Sequence, residues 1–178
     1  MEPLAYYVDL HCHTTLKPFA KSFHRQFQNS DNPRHRHSVW YYCRPALFQK
    51  ILNGVSSLTK FNQGSFSHLH KGNTRVVCTA LYPFERDFVA NRLGDGLLAR
   101  MIAQVAAGLT QHMTRAVVSW RNYDYFEALE QELGYLEQLH DCEVRTPDGS
   151  LARYRIVSDF EELREVLESL SAFDLTPN

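Results

Sequence analysis

Two histidines at the end of a strand-like run are the residues of this chain best suited to chemistry. Residues 6–8 are aromatic or β-branched and lead into an Asp-x-His-x-His triplet made by Asp9, His11 and His13. Because strand side chains alternate between two faces, these three are expected on one side. A hydrolytic zinc ion needs about three protein ligands and an open position for water. The triplet therefore predicts His11 and His13 as metal ligands, with Asp9 orienting an imidazole or joining the site.

Two other His-x-His pairs occur in the chain, in less favourable contexts. His35 and His37 lie in a polar, arginine-rich stretch. His68 and His70 lie in a predicted helix, where residues two apart do not face each other. Neither pair follows an aromatic and β-branched run, so neither is predicted to bind a metal. The alternative for the first pair is a solvated or hydrogen-bonded histidine ladder.

Two stretches of the chain share motifs with one enzyme family. The first is Val8-Asp9-Leu10-His11-Cys12-His13, followed by Leu16-Lys17-Pro18-Phe19. The second has Phe61-Asn62-Gln63, Leu69 and Gly72 ahead of Thr74-Arg75-Val76-Val77-Cys78-Thr79-Ala80-Leu81-Tyr82-Pro83. Together they resemble the start of amidohydrolase-like, metal-dependent hydrolases built on a (β/α)8 barrel, and most closely proteins related to the membrane dipeptidases. The resemblance covers residues 5–90, and His13 stands where renal-type dipeptidases more often have aspartate.

The resemblance implies an α/β fold, the N-terminal part of a (β/α)8 (TIM) barrel that is incomplete in this chain. Such a barrel takes about 250 residues and at least about 200, whereas this chain has 178. The family's bridging glutamate and later histidines would then lie past Asn178. We therefore expect residues 1–178 to form a single incomplete catalytic-type domain, the N-terminal piece of a longer enzyme.

The chemistry that the resemblance implies is hydrolysis by a metal-activated water. One or two divalent ions, with zinc expected, would be held partly by His11 and His13 in the intact enzyme. The bond cleaved would be an amide, for example in a dipeptide. Since the later ligands are missing from the chain, whether it is an active enzyme by itself stays open.

The two halves of the chain differ in their patterns. Residues 1–90 carry the family-like βα region, with a predicted helix after Pro45 and a predicted strand at residues 74–81. Residues 91–178 are predicted to be mainly helical. Apolar stripes are expected to face the core on helices at residues 98–113 and 126–139, and the glutamates of the second helix to face solvent. A hairpin insertion is predicted at about residues 142–157, and a capping box at Ser158 and Glu161 opens a last helix.

Residues 17–37 are rich in basic and polar types and are predicted to form one long loop. Loops that leave the carboxyl end of a barrel strand form the rim of the active site. Lys17, four residues past His13, is the best single candidate for a contact with substrate. The alternative is an ordinary solvated surface loop.

The composition of the chain argues against several other classes of protein. The chain is 44% hydrophobic and 22% charged with a net charge of −1, which argues against disorder and against a strongly basic nucleic-acid binder. Its start lacks a signal-peptide pattern, and no window approaches about 18 apolar residues. We expect a cytoplasmic protein without nucleic-acid or membrane partners. Its four cysteines form no Cys-x-x-Cys pair, which argues against a zinc finger.

Three other functions stay open at this point. The same His-x-His motif, with the basic loop as a phosphate cradle, suits a metal phosphoesterase. A non-enzymatic truncated interaction domain would oligomerise, or would associate with the missing C-terminal part, through unpaired strand edges. A smaller self-contained α/β site would need ligands from within the chain, for which His112, His140 and Glu85 are the candidates. The leading expectation is a small-molecule or dipeptide substrate.

Overall fold

The computed structural model describes residues 6–20, 28–42, 64–83 and 124–173, which form two small sheets and several helices. In chain order the elements are β1 (Tyr7–Cys12), α1 (Leu16–Ala20), α2 (Phe66–Lys71), β2 (Thr74–Thr79), α3 (Tyr125–Glu137), β3 (Val144–Arg145), β4 (Leu151–Ala152) and α4 (Phe160–Phe173). The helices predicted after Pro45 and over residues 98–113 lie outside the described residues, as do Glu85 and His112. Within the described part, no helix is long and apolar enough to cross a membrane.

Strands β1 and β2 pair in parallel. Both coincide with sequence runs rich in β-branched and apolar residues, which suit a pleated surface. Main-chain hydrogen bonds continue the ladder past its ends, from Tyr7 N–H to the Asn73 carbonyl (3.0 Å) and from Ala80 N–H to the Cys12 carbonyl (2.9 Å). Since the strands run the same way, the residues that follow Cys12 and Thr79 meet at one edge of the pair.

Most of β1 is open to solvent on both faces. Tyr7 is 70% exposed on one face and Leu10 is 76% exposed on the other. Parallel strands are normally covered on both faces. The described residues contain no closed barrel, so the (β/α)8 architecture stays a prediction.

The hydrophobic core lies away from the strand pair. Its buried members come from α1, from residues 39–40, from α3 with the turn after it, and from β3: Phe19, Val39, Trp40, Tyr135, Leu136, Leu139 and Val144. Phe66 and Tyr154 pack against this cluster with ring centroids 4.5 Å apart. The core thus gathers short pieces of chain around one face of α3.

Residues 28–42 are fastened to α3 by polar groups. The Asn29 side chain accepts from Val39 N–H (3.1 Å) and donates to the Tyr135 carbonyl (3.1 Å). The Tyr135 hydroxyl donates to the His37 carbonyl. The prediction of one long loop over residues 17–37 is wrong at its start, where α1 includes residues 17–20. Residues 28–37 contain no helix or strand, and His37 is buried.

Helix α3 buries only part of the face that the apolar stripe predicts, since Leu136 and Leu139 lie in the core. Asp124 caps its start by accepting from Phe126 N–H (2.8 Å). Phe126 is 67% exposed and Leu133 is 39% exposed, whereas Tyr135 and Glu132 are buried. Expecting every glutamate of this helix to face solvent is wrong for Glu132, because the core meets the helix on the face that carries it.

The hairpin and the last helix are shaped by short-range hydrogen bonds. Strands β3 and β4 pair antiparallel within the predicted range, and Gly149 in the turn has a φ of 93°. The cap of α4 lies one residue later than the predicted capping box. Asp159 accepts from Glu162 N–H (2.8 Å), and the Glu162 carboxylate accepts from Ser158 N–H (3.0 Å).

Candidate metal centre

The side chains of His11 and His13 meet at the carboxyl end of β1. Their Nε2 atoms are 3.2 Å apart, and the two rings are nearly perpendicular, with centroids 4.9 Å apart. Two residues apart on a strand, they share a face as the alternation of side chains requires. The His11 ring is exposed and the His13 ring is partly buried, so the pair opens to solvent on one side.

The tautomer of the His13 ring follows from the contact that its other nitrogen, Nδ1, makes. Its Nδ1 lies 2.9 Å from the Ala80 carbonyl oxygen at the end of β2. A carbonyl only accepts hydrogen bonds, so Nδ1 carries the proton and Nε2 keeps its lone pair. This is the tautomer in which metal-binding histidines are commonly held by an outer hydrogen bond. The carbonyl of the neighbouring strand thus leaves the His13 Nε2 lone pair available to accept a hydrogen bond or bind an ion.

The separation of the two nitrogens fits a metal ion. Two nitrogens on a tetrahedral zinc, each at about 2.0–2.1 Å, lie roughly 3.3–3.4 Å apart. The observed 3.2 Å is close to that value. The same separation also suits a hydrogen bond from His11 Nε2–H to His13 Nε2, so an ion binding here would replace that proton. The donor set and its spacing fit zinc, with further ligands still required.

The two other predicted site residues are placed less directly. The Asp9 carboxylate accepts from the main-chain N–H of His11 (3.0 Å), so it fixes the strand backbone beneath the imidazole. Lys17 lies in α1, and its side chain is outside the described residues.

Glu132 of α3 is the residue at this site that sequence reasoning missed. Its side chain is 1% exposed. One carboxylate oxygen accepts from the Thr15 hydroxyl, and the other accepts from Tyr82 N–H (2.9 Å). Burial raises the pKa of Glu132, and the hydrogen bonds from Thr15 and Tyr82 partly oppose that rise. One signal in the sequence could have found it: Glu132 lies at helical spacing from Tyr135, Leu136 and Leu139, which places it on the same face of the helix.

The other histidines that the structure describes do not join this centre. His68 Nδ1 is 2.6 Å from the Ser65 hydroxyl, whereas His70 Nε2 faces Ser150 at 3.3 Å, so that pair diverges. The His35 and His37 rings contact each other at a tilt of 35°, with centroids 5.0 Å apart. His140 Nδ1 accepts from Ile156 N–H.

Across residues 6–20, 28–42, 64–83 and 124–173, no group of three or more His, Cys, Asp or Glu side chains is arranged to hold a metal ion. The described residues therefore offer only two candidate ligands, His11 and His13. A complete centre needs a ligand from outside these residues.

Comparison with known proteins returned no match. No family model matches the chain. Neither the curated proteins nor the solved structures contain a significant match. Function must therefore be argued from the chain's own residues.

Proposed function

We propose that this chain supplies His11 and His13 as two ligands of a divalent-metal centre in a metal-dependent hydrolase. One observation carries the proposal: the two Nε2 atoms converge to 3.2 Å while the Ala80 carbonyl holds His13 in the tautomer that presents Nε2. The site also lies at the carboxyl end of a parallel strand pair, where α/β folds place their ligands.

Zinc, the expected ion, would lower the pKa of a bound water to about 7 and polarise a scissile carbonyl. The chain's own residues have simpler tasks. His11 and His13 hold the ion, the Ala80 carbonyl retains the proton of His13 Nδ1, and Asp9 holds the backbone amide of His11. By the family resemblance, the substrate is an amide, for example a dipeptide. A cytoplasmic location belongs to the same proposal and rests on the sequence alone.

The test is zinc binding by the full chain and by a His11→Ala/His13→Ala double variant. Equilibrium dialysis followed by elemental analysis should find zinc on the native chain and a loss of about 100-fold or more in affinity in the variant, since both ligands are gone. His35→Ala/His37→Ala is the matched control, because it removes a second His-x-His pair whose rings also contact each other. That control should bind as the native chain does.

Equal zinc binding by the native chain and the double variant would contradict the proposal. Dipeptides and phosphate monoesters are assayed on the same samples. Hydrolysis of monoesters alone would favour the phosphoesterase. Zinc-independent, concentration-dependent assembly without tight zinc binding would favour the interaction domain.

A further inference from the structure

The loops that follow β1 and β2 are joined by a single carboxylate. Thr15 stands two residues after His13, and Tyr82 stands two residues after Ala80. Glu132 accepts from the Thr15 hydroxyl with one oxygen and from Tyr82 N–H with the other. The bond from His13 Nδ1 to the Ala80 carbonyl therefore lies between two loops whose separation Glu132 sets.

Burial makes this bridge stronger than a surface contact. Glu132 and Thr15 are each at most 1% exposed, so water does not compete for their hydrogen bonds. Hydrogen bonds to a charged acceptor in such surroundings are shorter and stronger than neutral ones. The bridge thus restrains both loops against small displacements.

Burying a carboxylate costs free energy, so an apolar side chain would serve better if the residue only filled the core. Its neighbours on the same face of α3, Tyr135 and Leu136, fill the core with largely apolar groups. Within the described residues no lysine or arginine pairs with Glu132, and the nearby side chain that would favour its charged form by becoming positive is His13. Buried charges are normally paired or serve a metal site. A metal ion on His13 would supply positive charge from that same residue.

We propose that Glu132 is a positioning residue for the metal centre: by bridging Thr15 and Tyr82 it keeps His13 Nδ1 on the Ala80 carbonyl and so keeps Nε2 free for the ion. This inference rests on the proposed function for its metal. The arrangement of His13 that it describes exists without the ion and can be measured without it.

The experiment reads the tautomer of His13 by ¹⁵N NMR of the metal-free full chain. The pH is held well above the imidazole pKa of about 6.5, so that the ring is neutral. Signals are assigned by comparison with His13→Ala. The native chain should show the Nδ1–H form. Glu132→Ala should show a mixture of both tautomers and bind zinc about 10- to 100-fold more weakly, the range for outer-shell residues.

Two conservative changes separate positioning from general damage to the fold. Glu132→Gln keeps an acceptor for Tyr82 N–H and a polar group for Thr15, so it should retain the native tautomer and lose less zinc affinity than Glu132→Ala. Thr15→Val removes only the hydroxyl at similar volume and should shift the tautomer as Glu132→Ala does. Glu130→Ala changes an exposed glutamate of the same helix and should leave both readouts unchanged.

A native tautomer in both Glu132→Ala and Thr15→Val would overturn the inference. Should Glu132→Ala fail to fold, Thr15→Val decides alone. A native chain that binds no zinc would defeat the proposed function, yet the tautomer measurement would still decide the role of Glu132.

Discussion

The strand pair β1–β2 and the core around α3 hold their side chains in place by different means. At β1, Tyr7 and Leu10 are 70% and 76% exposed. The His13 ring is held by the Ala80 carbonyl and by contacts with the His11 and Tyr82 rings. Around α3, Tyr135 is fully buried and also hydrogen-bonded. Ordered geometry at the site therefore depends on a few hydrogen bonds and ring contacts rather than on a buried core.

Glu132 connects these two regions. It belongs to the buried face of α3, and its carboxylate binds Thr15 and Tyr82 at the ends of the strands. Because Glu132 is fixed in the core, it restrains the loops at the exposed edge that carries the histidines. Damage to the core should reach the site, whereas changes on the exposed surface of β1 should not.

The largest expected effect is that of Tyr135→Ala. The change leaves a cavity in the core and removes the hydroxyl that donates to the His37 carbonyl, so the free energy of unfolding should fall by about 3–5 kcal/mol. Leu10→Ala, on the open strand, should change it by no more than about 0.5 kcal/mol. Urea unfolding of both variants measures the contrast. A large loss in Leu10→Ala would show that another element covers β1.

A smaller effect is expected from Gly64→Ala, which tests packing beneath the histidines. A Cβ at Gly64 would lie 2.8 Å from Cys12 Sγ, so one of the two must shift. We expect a loss of about 1–3 kcal/mol in the free energy of unfolding. In a Cys12→Ala background the added loss should shrink, as a double-mutant cycle would reveal.

Gly134→Ala is the matched control for Gly64→Ala. A Cβ at this position in α3 has nothing within 4 Å. The change should stabilise the helix by about 0.5–1 kcal/mol, because glycine is the weaker helix former. Equal losses in the two glycine variants would refute the close contact with Cys12.

The smallest effects concern pH, and two carboxylates, Asp148 in the hairpin turn and Glu132 in the core, should change stability with opposite signs. Hydrogen bonds from Thr146 and Ser150 lower the pKa of Asp148 in the hairpin turn. Its contribution to stability is therefore complete above the unfolded value of about 3.9 and is lost as the pH falls through the lower folded value. Burial raises the pKa of Glu132. Its contribution is complete below about 4.3 and is lost as the pH rises through the higher folded value.

Urea unfolding midpoints measured from acid to neutral pH test these two opposite dependences of stability on pH. Asp148→Asn should be less stable to urea than the native chain at neutral pH, and this difference in stability should become smaller in acid. Glu132→Gln should gain stability relative to the native chain as the pH rises. Parallel curves for either variant and the native chain would mean that the residue does not titrate differently on folding.

Local patterns in the sequence predict the parts of this fold that are stabilised locally. The alternation at His11 and His13 predicts their shared face, and residues 147–149 predict a turn, because each depends on near neighbours in the chain. The buried face of α3 is predicted only in part, because Leu136 and Leu139 of the apolar stripe are buried but Phe126 and Leu133 are exposed. All four satisfy the helical period, and distant parts of the chain, including Phe19 and residues 28–42, decide which face is covered.

Glu132 illustrates the same limit at the site. A glutamate among several others on one helix is ordinarily solvated. Its role becomes visible only when Thr15, Ala80 and Tyr82 are in place around it. The carbonyl that sets the tautomer of His13 is likewise a main-chain group, which residue types do not encode.

The bridge from Thr15 to Glu132 also fixes when the site can form. The two residues are 117 positions apart in the chain. At a synthesis rate of about 5–20 residues per second, Glu132 is made roughly 6–23 s after Thr15. The turn at Gly149 closes between near neighbours, whereas loop closure over long separations slows folding. The histidines are thus synthesised well before Glu132, and their geometry can be completed only after Glu132 has been made.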